Sequence, residues 1–282
     1  MNIINIDLND WYVSGGGIIG VSYFHKTDPS LMMKFSTHPR PVEEMEREIE
    51  VSRRVYNLGI PTPEPGNVVF DGERYGQMYK RIVGKKSFAR LLSENINNAD
   101  PLAKEYANAV KSLHSTKCDK TLFPDIKETY RKHILTDKLR DDSFKAKAME
   151  LLESLPDAET CVHGDLHMGN VIRADGKVYF IDLGEFSYGH PFFDLAMIPA
   201  MLHSWINSPQ LYIENFHCTE DYIRKFWACF VRHYFDDGMT PDEAEEQLLP
   251  YIALRQIAME VFTGRKKEGK ATEKTFRVFG IK

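Results

Sequence analysis

The sequence predicts an α+β protein with a small β-rich N-terminal lobe and a larger, mostly helical C-terminal lobe. Short β-prone runs separated by turn signals fill most of the first eighty residues. After Gly84, long segments carry apolar residues at helical spacing. The change in pattern falls at Val83–Gly84, which predicts lobes of residues 1–83 and 84–282.

Predicted strands and one helix make up the first lobe. Val21–His25 and Leu31–Phe35 are β-prone and flank a turn signal. Apolar residues at helical spacing predict a helix over Val42–Leu58, which is followed by a glycine suited to end it. Asn67–Phe70 and Gly76–Arg81 flank an Asp-Gly turn, and this pattern predicts a hairpin.

Helices are predicted through most of the second lobe. Ser87–Ser93 and Pro101–His114 read as helices, and so do segments near residues 222–234 and 248–261, whose apolar stripes predict buried core faces. A loop-and-short-strand region over Cys161–Leu183 interrupts them.

Composition excludes several classes of protein. The 282 residues are 43% hydrophobic and 27% charged, which is ordinary for a globular chain. With 36 Lys and Arg against 41 Asp and Glu, the net charge of −5 disfavours nucleic acid as a partner. No apolar run is long enough to span a membrane, and the first residues resemble no secretory signal. The four cysteines form no C-x-x-C pair, so we expect free thiols in the cytoplasm.

The most informative segment is His163–Asn170, with the sequence HGDLHMGN, followed by Asp-Leu-Gly from Asp182. This spacing and order match the H-R-D-L-x-x-x-N and D-F-G signatures of kinases, with Gly and Leu at two positions. Asp165 would orient and deprotonate an attacking hydroxyl. Asn170 and Asp182 would hold Mg²⁺ against nucleotide phosphates. A hairpin predicted over the intervening residues would bring the two metal ligands together.

Such chemistry requires a strand cation for the phosphates and a helical carboxylate to orient it. Lys34 ends the apolar run Leu31–Met33, as a strand lysine should. Glu48 lies on the next predicted helix, beside its apolar stripe, so we expect it to position Lys34.

A glycine-rich segment, Ser14–Gly20, contains G-x-G-x-x-G at Gly15, Gly17 and Gly20, and Gly15, Gly16 and Gly17 are its candidate phosphate contacts. A dinucleotide-binding fold would need a helix after Gly20, but a strand is predicted there. The segment is therefore interpreted as a hairpin over phosphates, and a loop without a ligand is the alternative.

Two other interpretations of the octet remain open. His163 and His167 lie four residues apart, which on a helix would suit the zinc site of a hydrolase. The glycines at 164 and 169 favour a loop instead. The octet could also be only a polar turn. His167 could contact the phosphoryl group or hold the loop, and we favour the second role.

The chain resembles the aminoglycoside phosphotransferase and choline kinase-like family of small-molecule kinases. The resemblance rests on the order of the glycine-rich turn, Lys34, Glu48, the octet and Asp182, and it spans nearly the full length. It implies a two-lobed protein-kinase-like fold, with residues 1–83 binding the nucleotide and residues 84–282 carrying the catalytic and acceptor-binding groups.

The same resemblance implies ATP or GTP as donor, Mg²⁺, and a hydroxylated small molecule as acceptor. It further implies that the backbone of Lys80 and Ile82 grips the purine, and that Asp194 supports the catalytic loop. Gly164 stands where protein kinases carry Arg, and no Ala-Pro-Glu follows Asp182, so protein-kinase activity is disfavoured.

The acceptor is less defined than the donor. Between His190 and Gly264 there are eleven acidic side chains and only four basic ones. This excess would attract a cationic acceptor, or it is an ordinary solvated surface. A catalytically silent nucleotide-binding regulator is a rival function, but Lys34, Asp165, Asn170 and Asp182 are all present.

Overall fold

The computed structural model of the chain describes residues 3–16, 20–205, 208–267 and 270–280. The chain forms two compact units. The first contains residues Met1–Lys86 and Ile172–Gly184, and the second contains Ser87–Val171 and Glu185–Lys282. The first is rich in strands and the second is mostly helical, so the predicted α+β class is confirmed.

A six-stranded sheet and one helix form most of the first unit. The elements are β1 (Ile4–Asn5), β2 (Trp11–Gly16), β3 (Gly20–His25), β4 (Leu31–Ser36), α1 (Val42–Asn57), β5 (Pro65–Phe70) and β6 (Tyr75–Lys80). The strand order is β1-β5-β6-β4-β3-β2. All neighbours are antiparallel except β1 and β5.

Most of the local predictions for this unit are confirmed. Helix α1 buries Met45 and Ile49 on one face, as the apolar spacing predicts. It stops before Gly59, whose φ of +77° is the left-handed conformation that ends helices. Strands β5 and β6 form the hairpin predicted around the Asp-Gly turn.

The remaining helices and strands belong mostly to the second unit, and the β9–β10 hairpin contributes to the first. They are β7 (Lys86–Ser87), α2 (Phe88–Glu94), α3 (Ala99–Ser115), α4 (Ile126–Thr136), α5 (Asp142–Ser154), β8 (Thr160–Val162), β9 (Val171–Ala174), β10 (Lys177–Phe180), β11 (Ser187–Gly189), α6 (Phe192–Leu195), α7 (Met197–Ser204), α8 (Pro209–Phe216), α9 (Glu220–Tyr234), α10 (Pro241–Thr263) and α11 (Lys270–Phe276). Strands β8 and β11 pair, and a three-stranded sheet has the order β10-β9-β7.

Aromatic side chains from α3 and α9 fill the core of the second unit. The Tyr106 ring makes edge contacts with Phe226 and Phe230, at centroid distances of 5.4 and 5.6 Å. The stripe predicted near residues 222–234 is buried and therefore belongs to the core. Edge-to-face ring pairs stabilise such an interior beyond their buried area. All four cysteines are buried and free of disulfides. None of the described helices has the length and apolar character needed to cross a bilayer.

The β9–β10 hairpin carries Asp182 and lies where the sequence predicts it. Asp175 and Gly176 occupy its turn with φ values of +48° and +71°. Positive φ at both central residues is what a tight type I′ hairpin requires. Asp182 lies two residues after the end of β10, so the hairpin determines the position of its backbone.

Candidate active site

The first unit brings Lys34 and Asp182 together, although 148 residues separate them. The Lys34 Nζ atom lies 2.7 Å from Asp182 Oδ1, and the two side chains are 30% and 38% exposed. Lys34 sits on β4, opposite Ser22 of β3 and Gln77 of β6. The pair therefore combines a strand ammonium with a carboxylate that solvent and ligands can reach.

Asp182 adopts an unusual backbone conformation. Its φ is +64°, in the left-handed region that non-glycine residues seldom occupy. Aspartate tolerates this region better than most residues, yet holding it there still has a cost. Such strain is typical of positions where the direction of a side chain matters more than local stability.

Glu48 lies beside this pair but bonds to other residues. Its Oε1 accepts from Arg40 Nη2 at 2.6 Å, and its Oε2 accepts from Gln77 Nε2 at 2.8 Å. A Cβ at Gly184 would lie 3.3 Å from Glu48 Oε1, so the glutamate abuts the Asp-Leu-Gly segment. The direct Glu48–Lys34 pair expected from the sequence is absent among the described residues, and Lys34 bonds to Asp182 instead.

The described part of the glycine-rich segment lies at the end of β2 and the start of β3, which pair antiparallel. Gly15 and Gly16 pair with Ser22 and Val21, and a register shift lies between Val13 and Gly15. Gly17 lies outside the described residues. The strand that starts at Gly20 excludes the dinucleotide-binding alternative, which requires a helix there.

Gly20 makes room for Lys34. A Cβ at this position would meet Lys34 Cε at 3.1 Å and the Phe35 carbonyl at 3.0 Å. A larger residue would therefore push on the aliphatic stem of the lysine. Steric space therefore explains why glycine suits position 20, and the motif alone does not reveal this.

The predicted purine-binding stretch follows β6. The backbone N–H of Lys80 donates to Glu64 O at 2.9 Å, so that N–H is already engaged. Ile82 is half-buried just beyond the strand.

Sequence reasoning missed Lys85, which shares the electrostatic environment of this site. Burial lowers the pKa of Lys85, and the positive charges of Lys34 and Arg81 lower the pKa further. Asp182 acts in the opposite direction. Arg81 itself lies over the Phe24 ring, 3.6 Å from its centroid. The Lys85-Lys86 doublet after Gly84 is the sequence signal that could have indicated this second ammonium.

In the second unit, the octet His163–Asn170 forms a loop after β8. It contains no α-helix, so the helical zinc-site interpretation is wrong. No set of three or more His, Cys, Asp or Glu side chains among the described residues is arranged to hold a metal. The octet is also more than a polar turn, because buried groups fix it from several sides.

Asp194, at the N-terminal end of the helical segment after β11, anchors the start of this loop. Its buried carboxylate accepts from the backbone N–H of His163 at 2.7 Å and of Gly164 at 2.8 Å. His114 Nε2 lies 3.0 Å from the same carboxylate, and His114 Nδ1 lies 2.8 Å from the Tyr234 hydroxyl. Buried polar groups that are fully paired in this way specify one local structure.

Gly164 explains the departure from the protein-kinase pattern. Its φ is +82°, and a Cβ there would lie 2.3 Å from the Glu185 carbonyl oxygen. Real Cβ contacts never approach so closely, so every residue other than glycine would have to displace backbone. The arginine of the protein-kinase motif cannot occupy this position without rebuilding the loop.

Asp165 and Asn170 interact directly. The Asn170 amide nitrogen donates to Asp165 Oδ2 at 3.0 Å and to the Asp165 carbonyl at 2.9 Å. The Asn170 Oδ1 atom accepts no hydrogen bond from any of the described residues. This orientation turns the amide oxygen away from Asp165 and leaves it for another partner.

His167 contacts the backbone of its own loop. Its Nδ1 accepts from the Gly169 N–H at 3.0 Å, which assigns the ring proton to Nε2. That nitrogen lies 3.7 Å from Asp165 Oδ2. The ring also packs edge-on against Phe216 at 5.4 Å. The role of His167 stays a prediction.

Asp165 is an ionised carboxylate that is one-third exposed. Burial by itself would raise its pKa, but electrostatic interactions with His167, Arg255 and His163 lower the pKa to about 2, and the Asn170 hydrogen bond contributes. Arg255 was not among the residues predicted from the sequence. It lies ninety positions from Asp165 on another element, and its spacing gives no signal.

Comparison with known proteins assigns the chain to a family. A model described as the phosphotransferase enzyme family (APH) matches residues 14–215. The chain therefore belongs to the phosphotransferase enzyme family. A methylthioribose kinase from Bacillus pumilus is 36% identical over 110 residues, which are 37% of this chain and 26% of that protein. The matched part thus spans about a quarter of the length of that relative.

Solved structures show the same fold. A thermostable mutant of aminoglycoside phosphotransferase APH(4)-Ia, in complex with ADP and hygromycin B, has a TM-score of 0.62 at 13% identity, over 96% of this chain and 91% of that chain. Choline kinase LicA from Streptococcus pneumoniae has a TM-score of 0.57 at 17% identity, over 97% and 93%. At these identities the likeness establishes the fold, and it confirms the predicted protein-kinase-like class.

Proposed function

We propose that the protein transfers the terminal phosphate of ATP or GTP to a hydroxyl of a small molecule. The observation that carries this proposal is the Lys34–Asp182 ion pair, in which a strand ammonium faces a carboxylate on the Asp-Leu-Gly segment. Membership of the phosphotransferase family supports it. The first unit would hold the nucleotide, and the second would supply the catalytic loop and the acceptor site.

Asp165 is the proposed catalytic residue. Phosphoryl transfer has a loose transition state, so a carboxylate that orients the attacking hydroxyl and accepts its proton suffices. The carboxylate stays ionised, with a pKa of about 2, so it acts mainly as a fixed hydrogen-bond acceptor. Lys34 would neutralise the α- and β-phosphates.

The proposed role of Glu48 is indirect. It bonds to Gln77, which is the cross-strand neighbour of Lys34 on β6. Glu48 also abuts Gly184, two residues after Asp182. It would therefore position the surroundings of Lys34 and Asp182 rather than bond to the ammonium. Lys80 and Ile82 remain proposed purine contacts through their backbones, and Gly15, Gly16 and Gly17 remain proposed phosphate contacts.

Asp182 and Asn170 remain the proposed Mg²⁺ ligands, one from each unit. Asp182 offers a carboxylate that is 38% exposed, and Asn170 offers an amide oxygen turned away from Asp165. Hard cations of this kind prefer carboxylate and amide oxygens. Asp182 and Asn170 would hold the ion, which would supply positive charge against the nucleotide phosphates.

The acidic excess of the second unit does not by itself favour a cationic acceptor. Several of its carboxylates already have local partners, including Glu220 with Arg224, Asp236 with Lys111, Glu245 with His203, and Glu260 with Arg140. Asp194 is buried and engaged by the loop. We therefore propose a hydroxylated small molecule, sugar-like or an amino alcohol, in the cytoplasm, without requiring a positive charge on it.

An acceptor screen tests this function. ADP formation would be followed with Mg·ATP and Mg·GTP against aminoglycosides, amino alcohols, pentoses including methylthioribose, and nucleosides. We expect at least one acceptor to raise ADP formation at least tenfold over the rate without acceptor. Protein that binds Mg·ATP but shows no acceptor-dependent turnover with any class would contradict the proposal and favour a silent nucleotide-binding regulator.

A further inference from the structure

Arg255 on α10 reaches the catalytic loop with a side chain that is only 13% exposed. Its Nη1 donates to the Gly164 carbonyl at 2.9 Å, and its Nη2 donates to Asp165 Oδ1. Its Nε lies 3.0 Å from the Met197 sulfur. One guanidinium thus contacts the backbone of one loop residue and the side chain of the next.

We propose that Arg255 is a positioning residue, which holds the Asp165 carboxylate in the orientation that receives the acceptor hydroxyl. The proposal rests on the proposed function, because it assigns Asp165 the catalytic role. Arg255 acts through Asp165 and contacts neither the nucleotide nor the reacting phosphate in this account.

The geometry of a guanidinium suits this task. Its donors form a rigid, planar fork, whereas a lysine ammonium is a point charge on a flexible stem. Here one donor of the fork fixes the Gly164 carbonyl and another fixes the adjoining carboxylate. The side chain of Asp165 is therefore held relative to its own backbone, which removes rotation about its two side-chain torsions.

Asn170 completes the clamp from the other side. Its amide donates to Asp165 Oδ2, while Arg255 holds Oδ1. Each carboxylate oxygen accepts about two hydrogen bonds, so lone pairs remain for a hydroxyl. The carboxylate is one-third exposed and can be reached by an acceptor.

Helix α10 provides a rigid base for Arg255. The flanking residues Leu254 and Gln256 are 1% and 0% exposed, so the helix cannot turn without breaking the core. A capping box between Thr240 and Glu243 fixes its first turn. A group held this firmly can set the position of a catalytic carboxylate, and a misplacement of about 1 Å costs about a hundredfold in rate.

The alternative is that Arg255 only stabilises the fold by pairing with a buried charge. Removing one member of such a pair destabilises a protein regardless of catalysis. If the arginine is purely structural, its removal would lower the melting temperature and would slow the wild-type and Asp165→Asn enzymes by the same factor. A positioning residue loses its kinetic effect once the carboxylate is gone.

Steady-state kinetics of five proteins separate these roles: wild type, R255K, R255M, D165N and D165N/R255M. We expect R255M to lower kcat about a hundredfold, with KM for ATP within twofold of wild type. R255K should retain an intermediate kcat. The double variant should be no more than twofold slower than D165N. Melting temperatures of all five, with and without Mg·ATP, show which variants are folded.

Three results would overturn the proposal. They are a kcat of R255M within threefold of wild type, an R255M effect of equal size in both backgrounds, or a fully folded R255K with wild-type kcat. If R255M does not fold, R255K alone carries the test. A wild-type protein that phosphorylates no acceptor overturns the proposed function and this proposal with it. A wild-type protein that turns over while both Arg255 variants match it overturns this proposal alone.

Discussion

Gly164 shows how one residue constrains the chemistry of the loop. Its left-handed backbone and the carbonyl 2.3 Å from its would-be Cβ leave no room for a side chain. The sequence shows only that glycine replaces the arginine of protein kinases. The structure supplies the physical reason, which is close backbone approach from Glu185 rather than flexibility.

Substituting this glycine should be unusually destabilising. We expect Gly164→Ala to lower the free energy of unfolding by about 3 kcal/mol or more, from backbone strain plus a steric clash. Gly176→Ala is the matched control, because Gly176 has a φ of +71° but open space around it. The control should lose only about 1 kcal/mol. Equal losses in urea denaturation would show that the clash is relieved at no cost.

Single residues were predictable from sequence where a motif fixes their role, and less so where a partner must be known. Lys34 and Asp182 could be chosen from their order and spacing, and the structure brings them together. The helical phase of Glu48 indicates which face it occupies, but it cannot reveal that Arg40 would pair with it. Arg255 could not be found, because nothing in the sequence links position 255 to position 165.

At the scale of elements, turn chemistry and apolar spacing were sufficient. The β5–β6 and β9–β10 hairpins and helix α1 formed as predicted because each has a local signal: Asp-Gly or Gly turns, or a stripe of apolar residues. Long-range anchoring has no such signal. Asp194 fixes the start of the His163–Asn170 loop from about thirty residues away, by accepting backbone N–H bonds that the sequence does not reveal.

The hydrogen bonds between Asp194 of α6 and the His163–Asn170 loop can be tested by a single substitution. Asp194→Asn replaces a carboxylate oxygen with an amide that meets N–H donors, so at least one buried donor loses its partner. We expect the free energy of unfolding to fall by about 3 kcal/mol. Asp242→Asn, an exposed change in the first turn of α10, should have an effect within about 0.5 kcal/mol. Similar chemical denaturation curves for the two variants would argue against the anchor.

For the whole molecule, the fold class could be predicted from the change in sequence pattern along the chain. Which residues belong to which unit could not be predicted in this way. Residues 172–184 join the first unit, although the sequence order places them well inside the second lobe. This return segment carries Asp182 to Lys34, so it is what makes the ion pair possible. A single division of the sequence at Val83–Gly84 cannot assign residues 172–184 to the first unit.

Charge at the scale of the molecule was also ambiguous from sequence. The acidic excess between His190 and Gly264 suggested either a cationic acceptor or a solvated surface. Once partners are visible, much of it is paired locally, as with Glu220 and Arg224 or Glu260 and Arg140. Net charge over a segment therefore says little about a ligand until the pairing is known.

The most direct test of the central claim is the transfer of labelled terminal phosphate from ATP to an acceptor, measured for wild type and Asp165→Asn. The account predicts labelled acceptor with the wild type, and a rate at least a thousandfold lower with the variant, while both bind Mg·ATP with similar affinity. Equal transfer by the two proteins, or loss of Mg·ATP binding together with loss of transfer, would contradict the role assigned to Asp165.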